Sequence, residues 1–320
     1  MPELPEVETI RRDLAAGLVG RKIVSVDILS PKSASPSGAI FKSALLRRRI
    51  TETGRRGKLL IFRLSPISRS SSSRSSSRRA VYDYLLIHLK MTGQLIYLDG
   101  RKKIAGGHSL SKAGRAPLSS GLSLGESFSS AVGGDLPNKH TRAVLSFSGG
   151  GRLFFNDLRK FGYLKLVDQA ELNRLLVANY GPEPLTAAFT PAALARVLAR
   201  KSAKVKALLL DQTLIAGLGN IYVDEALHAA GLRPQRTGAS IKPAEIKRLH
   251  GAINRIIRRA IKHRGTTFSD YVDSRGRRGN FSRLLLVYGR GGEACRNCGH
   301  PLLKTKVAGR GTHYCQYCQK

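Results

Sequence analysis

The pattern of apolar and polar residues changes along the chain and predicts three successive regions. Residues 5–19 carry apolar side chains at the spacing of one helical face. From about residue 22 to residue 167, short apolar runs alternate with breaks that contain Gly and Ser, which is typical of strands in a sandwich or barrel. These runs are residues 22–29, 58–64, 80–89, 143–148, 152–155 and 163–167. We therefore predict one helix followed by a β-rich region.

Helical periodicity returns after the sequence GPEP at residues 181–184, which we interpret as a linker. The apolar spacing then predicts four helices, at residues 191–200, 203–210, 221–230 and 243–263. Strand-like pieces at residues 284–288 and around Tyr314 accompany the cysteines at the end of the chain. The predicted order is therefore β-rich, helical and then cysteine-bearing.

Two segments interrupt the β-rich region. Residues 65–79 are almost entirely Ser and Arg, and residues 100–138 are rich in Gly, Ser and Lys with little apolar periodicity. Neither composition buries enough apolar surface to offset the entropy of ordering the chain. We predict that both are disordered or mobile insertions in loops between strands. The Ser/Arg run could add weak affinity for nucleic acid, although a solvated loop is the more ordinary interpretation.

Composition narrows the class of partner. The 320 residues suffice for two domains, and 55 Lys and Arg against 21 Asp and Glu give a formal charge of +34. An excess this large favours a polyanionic partner bound through phosphate neutralisation, whether DNA, RNA, ribosome or heparin. No apolar run approaches the roughly 20 residues of a membrane span. The first residues lack an export signal, so we expect a cytoplasmic protein with no membrane partner.

All four cysteines lie in the last 26 residues, as Cys295, Cys298, Cys315 and Cys318. Their spacing, C-x2-C-x16-C-x2-C, is that of a four-thiolate zinc site. Disulfides are the alternative, and the lack of an export signal disfavours them. With four protein ligands no position is left open for water, so we expect one zinc ion with a structural role.

The chain begins MPELPE, and removal of Met1 would leave Pro2 with a free secondary amine. A terminal amine titrates near pKa ~7.7–8.0, so part of it is nucleophilic at neutral pH and can form an iminium with an aldehyde-level carbon. Glu3 and Glu6 would share a helical face at this spacing, and either could move a proton. The alternative is an ordinary helix start with acidic residues and Pro5 in the first turn.

Residues 211–225, DQTLIAGLGNIYVDE, join two predicted helices through Gly217 and Gly219. Asn220 would begin the second helix, where backbone N–H groups bind phosphate, and Lys206 lies on the preceding helix. This pattern fits a phosphate clamp of the helix–turn–helix kind. A plain helical hairpin fits the spacing equally well.

Three further motifs could touch a nucleic acid. GRRGK at residues 54–58 presents Lys58 at a turn, where it could contact a phosphate, move a proton or simply be solvated. HLKMTG at 88–93 and DLRKFG at 157–162 carry Met91, Arg159 and Phe161. Met91 and Phe161 are either core residues or, with Arg159, a wedge that fills the gap left by an extruded base.

Taken together, these motifs resemble one family, the formamidopyrimidine-DNA glycosylases (Fpg or MutM). The opening PELPEVET, GRRGK, HLKMTG, DLRKFG, GLGNIY and the four-cysteine finger occur in the family's order and cover the chain outside the two insertions. The resemblance implies an α+β fold, in which a β-sandwich flanked by helices precedes a helix–two-turn–helix domain with a zinc finger and DNA lies in the cleft between them. We place these regions at residues 1–180, 185–283 and 284–320.

The resemblance also implies roles for individual residues. Pro2 is the nucleophile, and Glu3 moves a proton at the sugar. Lys58 and Arg310 are the acids of β- and δ-elimination, respectively. The remaining contacts with DNA are Met91, Arg159 and Phe161 in the duplex void, Lys206, Asn220 and Arg310 on phosphates, and His140. Residues 266–280, unusually basic through Arg275, Arg277 and Arg278, match the loop that closes over the extruded base.

The implied reaction is bifunctional base excision in a bacterial, nucleoid-associated monomer. The enzyme excises 8-oxoguanine opposite cytosine, or a formamidopyrimidine, and then cuts the strand on both sides of the sugar. Two rival interpretations remain. The sister endonuclease VIII (Nei) group prefers oxidised pyrimidines, but its opening usually reads PEGPE, whereas this chain has Leu4. A non-catalytic DNA-binding protein would need neither a terminal proline nor its neighbouring carboxylate.

Overall fold

The computed structural model of the chain describes residues 2–36, 38–66, 82–100, 102–107, 129, 132–199, 202–266 and 281–320. The chain forms two compact units. The first is built mainly from Glu6–Leu176, together with Pro2 and Thr266. The second comprises Glu3–Pro5, Val177–Gly265 and Asn280–Lys320.

The first unit contains two five-stranded sheets, ordered β1-β8-β9-β6-β7 and β2-β10-β5-β4-β3. All neighbouring strands are antiparallel except β2 and β10, which run parallel. The strands are β1 (Ile23–Ile28), β2 (Ala34–Ser35), β3 (Ile50–Arg56), β4 (Leu59–Leu64), β5 (Tyr84–His88), β6 (Gly93–Asp99), β7 (Lys102–Gly107), β8 (Thr141–Phe147), β9 (Arg152–Asp157) and β10 (Tyr163–Val167).

One hydrophobic core joins the two sheets and the first helix, α1 (Leu4–Leu18). The helix contributes Val7 and Leu14, which are fully buried because they recur on one face. Leu85 of β5 and Phe154 of β9 meet them in the same core. The predicted first helix and β-sandwich are therefore confirmed. Two further helices, α2 (Gly38–Leu45) and α3 (Gln169–Asn179), have no counterpart among the predicted elements.

The predicted insertion at residues 100–138 is wrong in part. Strand β7 (Lys102–Gly107) lies inside it and pairs with β6, burying Ile104 and Ala105. An edge strand with only two core side chains gives little apolar periodicity. The prediction for residues 65–79 falls mostly on residues 67–81, which lie outside the described ones. In the GRRGK motif, Arg55 and Arg56 belong to β3, since they pair with Leu60 and Leu59, and the turn consists of Gly57 and Lys58.

All four predicted helices of the second unit are present. They are α4 (Pro191–Leu198), α5 (Val205–Leu210), α6 (Asn220–Ala229) and α7 (Pro243–Lys262). Their apolar faces form a second core that includes Leu194, Leu209, Leu227 and Ile253. No helix among the described residues is both long and apolar enough to cross a membrane.

The linker interpretation of residues 181–184 needs correction. The backbone N–H of Gly181 donates to the carbonyl of Gln212 at 2.9 Å, and the N–H of Ala216 donates to the carbonyl of Pro182 at 3.1 Å. A β-carbon on Gly181 would lie 2.3 Å from the carbonyl oxygen of Leu214. This segment is therefore packed within the second unit.

The end of the second unit is a hairpin of β11 (Leu303–Val307) and β12 (Arg310–Tyr314). The strand predicted at residues 284–288 is wrong. The buried carboxylate of Glu225 accepts the N–H groups of Leu286, Val287 and Tyr288 at 2.8–2.9 Å. Because a side chain satisfies these backbone donors, the segment needs no strand partner.

Candidate active site and DNA interface

Glu3 is held at the N-terminus of α6. Its side chain is buried, with 2% exposed, and accepts the backbone N–H groups of Ile221 at 3.0 Å and Tyr222 at 3.4 Å. These are N–H groups that a helix leaves unpaired in its first turn, where its dipole favours negative charge. The N–H of Leu4 donates to the carbonyl of Gly217 at 3.0 Å and fixes the same segment. The GLGN turn therefore positions the carboxylate that follows Pro2 in the chain.

Pro2, Glu6 and Lys58 belong to the first unit, and all three are buried. Lys58 lies at the turn between β3 and β4. The carboxylate of Glu6 accepts the N–H of Thr266 at 2.8 Å and its hydroxyl at 3.1 Å. Glu6 thus holds the first residue of the segment 266–280. The rest of that segment, with Arg275, Arg277 and Arg278, lies outside the described residues.

Lys206 does not have the placement expected of a phosphate contact. Its side chain is 0% exposed, and Nζ donates to Asp224 Oδ1 at 2.6 Å, Thr312 Oγ1 at 2.9 Å and the Gly311 carbonyl at 3.1 Å. Burial lowers the pKa of Lys206, although the neighbouring Asp224 carboxylate opposes this shift. The ammonium group therefore fastens β12 to α6.

Asn220 bonds the backbone of β12 directly after Arg310. The side-chain Nδ2 of Asn220 donates to the Gly311 carbonyl at 2.9 Å, beside the bond from Lys206. Arg310 is exposed and follows a turn in which Ala308 and Gly309 have φ of 48° and 74°. The second unit therefore brings together the start of α6, the buried Lys206 and the exposed guanidinium of Arg310.

The proposed wedge residues are exposed, which excludes the alternative that they belong to the core. Met91 is 38% exposed and Phe161 is 54% exposed. The guanidinium carbon of Arg159, also exposed, lies 4.7 Å from the centre of the Phe161 ring, within cation–π range. His140 is half-buried, and burial together with Lys139 and Arg142 lowers its pKa.

The four cysteine thiols lie within 4.8 Å of one another. Cys295 and Cys318 are 3.9 Å apart at sulfur, and Cys298 and Cys315 are 3.4 Å apart. Tetrahedral zinc with bonds of about 2.3 Å requires sulfurs about 3.8 Å apart. A disulfide requires about 2.05 Å, so these are four free thiols in a zinc-binding arrangement.

Two acidic residues of the GLGNIYVDE motif have clear functions that the sequence alone does not assign. Asp224 accepts from Lys206, and Glu225 holds the segment leading to the first cysteine. The only signal in the sequence is a pair of charges within an otherwise apolar helix, a pattern that usually marks a solvated face. Both are buried in the structure.

Family models match nearly all of the chain. Residues 1–164 match the formamidopyrimidine-DNA glycosylase N-terminal domain, and residues 180–272 match the H2TH domain of the same glycosylase. Residues 292–320 match a zinc finger found in FPG and IleRS. The chain belongs to the formamidopyrimidine-DNA glycosylase family. It therefore has the Fpg-like α+β fold, with an N-terminal domain, an H2TH domain and a C-terminal zinc finger.

Bacterial members of the family align along the whole chain. The formamidopyrimidine-DNA glycosylase of Pelotomaculum thermopropionicum is 40% identical over 323 residues, covering 100% of this chain and 99% of its own. The Geobacillus kaustophilus protein is 39% identical over 325 residues and is covered completely. As an Fpg-family DNA glycosylase, the protein functions in base excision repair.

Solved Fpg structures agree with this assignment. Lactococcus lactis Fpg, solved in complex with DNA containing an abasic site, is 33% identical and superposes with a TM-score of 0.79 over 99% of both chains. A MutM solved in complex with DNA containing carbocyclic 8-oxo-G gives a TM-score of 0.77 at 33% identity over 100% of both chains.

Proposed function

We propose that the protein excises oxidised purines, namely 8-oxoguanine and formamidopyrimidines, from duplex DNA and then cleaves the strand at the abasic site. The observation that carries this proposal is the anchored carboxylate of Glu3 directly after Pro2. A DNA-binding protein without catalytic function has no need for a buried carboxylate beside a terminal amine. The related MutM and Lactococcus proteins were solved with 8-oxoguanine and abasic DNA, which is consistent with these substrates.

Excision begins when the damaged nucleotide leaves the stack. Removal of Met1 frees the Pro2 nitrogen, which attacks C1′ of the sugar as the bond to the base breaks. Glu3 transfers a proton as the sugar ring opens, and the sugar remains attached to Pro2 as an iminium. The cationic nitrogen is an electron sink, and it acidifies the neighbouring C2′ proton.

Strand cleavage follows from the same intermediate. Loss of the C2′ proton expels the 3′ phosphate in β-elimination, and Lys58 supplies the proton. A second elimination expels the 5′ phosphate, with Arg310 as the acid. Hydrolysis of the remaining iminium then frees Pro2. The DNA is left with a one-nucleotide gap, and the enzyme returns to its initial state.

The other site residues bind the DNA or position the residues that do. Asn220 and Arg310 contact phosphates beside the lesion. Lys206 contacts no phosphate, because three hydrogen bonds keep its ammonium group buried. It instead holds the strand that carries Arg310 against the helix that begins with Asn220. In the first unit, Met91, Arg159 and Phe161 fill the void in the duplex, His140 makes a further contact with DNA, and Glu6 fixes the start of the loop over the base. We propose that the enzyme acts as a monomer on the bacterial chromosome.

Borohydride trapping on a duplex with 8-oxoguanine opposite cytosine tests the proposal. We expect a covalent adduct that mass spectrometry places on Pro2, and much less adduct with Pro2→Gly. An adduct with an oxidised pyrimidine alone would place the specificity with the endonuclease VIII group. Tight binding with no adduct on either substrate would indicate a DNA-binding protein without this chemistry.

A further inference from the structure

Asp157 lies at the end of β9 and is 1% exposed. One carboxylate oxygen, Oδ1, accepts the hydroxyl of Thr92 and the backbone N–H of Arg159, the latter at 3.2 Å. The other oxygen, Oδ2, accepts the N–H of Gly162 at 2.7 Å. A single buried carboxylate therefore bonds both the loop that carries Met91 and the loop that carries Arg159 and Phe161.

Thr92 links the same two loops directly. Its hydroxyl donates to Asp157 and accepts the N–H of Arg159 at 3.0 Å. A hydroxyl can do both at once, since it has one donor and two acceptor sites. The side chain is buried, so water does not substitute for either partner. Thr92 and Asp157 thus form a closed connection between segments 65 residues apart in the chain.

The backbone of Asp157 extends this connection to His140. Its N–H donates to the His140 carbonyl at 2.9 Å, and its carbonyl accepts Nε of Arg142 at 2.9 Å. Asp157 therefore contacts the segments that carry Met91, Arg159, Phe161 and His140, the first-unit residues to which we assign non-catalytic contacts with the duplex.

Both loops have an unfavourable backbone conformation next to a wedge residue. Lys90, before Met91, has φ of 49°, and Lys160, before Phe161, has φ of 60°. Residues with a side chain rarely adopt this left-handed region, so other contacts must hold them there. The N–H of Lys90 donates to Nδ1 of His88 at 3.0 Å. On the other loop, the contacts of Asp157 with Arg159 and Gly162 fall on either side of Lys160.

Gly162, whose N–H donates to Asp157, has little free space around it. A β-carbon there would lie 2.7 Å from Cζ of Phe155 and 3.2 Å from Oδ2 of Asp157. A glycine here therefore leaves room chiefly for the Phe155 ring, beside the carboxylate that its N–H contacts. The DLRKFG motif thus contains both partners of the bond, the aspartate and the glycine, on either side of the exposed side chains.

We propose that Asp157 and Thr92 are positioning residues that lock Met91, Arg159 and Phe161 into one preformed wedge. The inference rests on the proposed function, in which these three side chains fill the space of the extruded base. Because one carboxylate holds both loops, they are already ordered before they enter the duplex, and they enter it together. Loss of the connection lets each loop relax independently, which slows extrusion of the base and leaves the chemistry at Pro2 unchanged.

The test compares Thr92→Val, which keeps the shape and removes the hydroxyl, with Thr92→Ser, which restores the hydroxyl. The readouts are single-turnover excision of 8-oxoguanine, strand cleavage at a preformed abasic site, and the fluorescence of 2-aminopurine beside the lesion. We expect Thr92→Val to slow excision and the fluorescence change together by about ten-fold, the effect of losing roughly one buried hydrogen bond. Cleavage at the abasic site should change far less, and Thr92→Ser should recover near-wild-type rates.

Asp157→Asn provides a second test that requires no activity. Hydrogen exchange of the free protein should show faster exchange at the amides of Arg159 and Gly162, with α6 unaffected. Wild-type rates in Thr92→Val, or an equal loss on both substrates with unchanged fluorescence, would overturn the proposal. If the wild-type protein formed no borohydride-trapped adduct with DNA containing 8-oxoguanine, the proposed function would be refuted instead. The hydrogen-exchange experiment would still decide whether the loops are locked.

Discussion

A β-carbon on Gly219 would lie 2.3 Å from the carboxyl carbon of Glu3. Real β-carbons do not approach another carbon so closely, so either Glu3 or the turn would have to move. The φ of Gly219 is −138°, which any residue can adopt. The glycine is therefore required by the space that the Glu3 carboxylate occupies and not by backbone strain.

Gly219→Ala should displace Glu3 and reduce excision. Overpacking at a buried site costs about 1–3 kcal/mol, which corresponds to roughly 5- to 150-fold if it falls on the reacting geometry. The measurement is the single-turnover rate on a duplex with 8-oxoguanine opposite cytosine.

Gly251→Ala is the matched control for this substitution. Gly251 lies on the exposed face of α7, with no atom within 4 Å of a β-carbon. Alanine there should leave excision unchanged and stabilise the helix by up to about 1 kcal/mol. Equal rates for the Gly219 variant and the wild-type protein would show that Glu3 need not be held where the structure places it.

Glu8 makes the first unit less stable as the pH falls below about 4.5. Burial alone would raise the pKa of its carboxyl, but hydrogen bonds from Arg11 and Arg12 and the charge of Arg55 together lower it to about 2. In the unfolded chain the pKa of this carboxyl is the ordinary glutamate value of about 4.5. The stabilisation is therefore complete above pH 4.5 and is lost as the pH falls towards 2, by up to about 3 kcal/mol.

Urea denaturation of the wild-type protein and Glu8→Gln between pH 7 and pH 2.5 measures this contribution. The two stability curves should be furthest apart at pH 7 and converge in acid. A constant difference across the range would mean that the three arginines do not perturb the carboxyl.

The sequence predicts the elements whose apolar pattern is regular and local. The helices of the second unit and the cysteine site follow from periodicity and spacing. Strand β6 (Gly93–Asp99) does not, because it lies between β9 and β7 in its sheet and its first five residues are all buried, so apolar and polar residues do not alternate. The burial of Lys206 could not be predicted either, since Asp224 and Thr312 are 18 and 106 residues away in the chain.

Zinc removal should unfold the β11–β12 hairpin selectively. The core beneath it contains only four buried residues among those described, and two of these are the ligands Cys295 and Cys315. So small a core depends on the metal for its folding energy. Chelation, or Cys298→Ser, should release zinc and weaken DNA binding while the near-ultraviolet circular dichroism of the first unit persists. Retention of full DNA affinity without zinc would contradict this dependence.

Substitution of Lys206 shows whether this residue stabilises the fold or contacts a phosphate. Lys206→Met leaves the Asp224 carboxylate buried without its cation, and breaking such a pair typically costs about 3–5 kcal/mol. We expect a marked fall in thermal stability in the absence of DNA. Lys204→Ala, two residues earlier and exposed, should change stability by less than about 0.5 kcal/mol. If Lys206 instead bound phosphate, Lys206→Met would keep its stability and only reduce the slope of log affinity against log salt by about one.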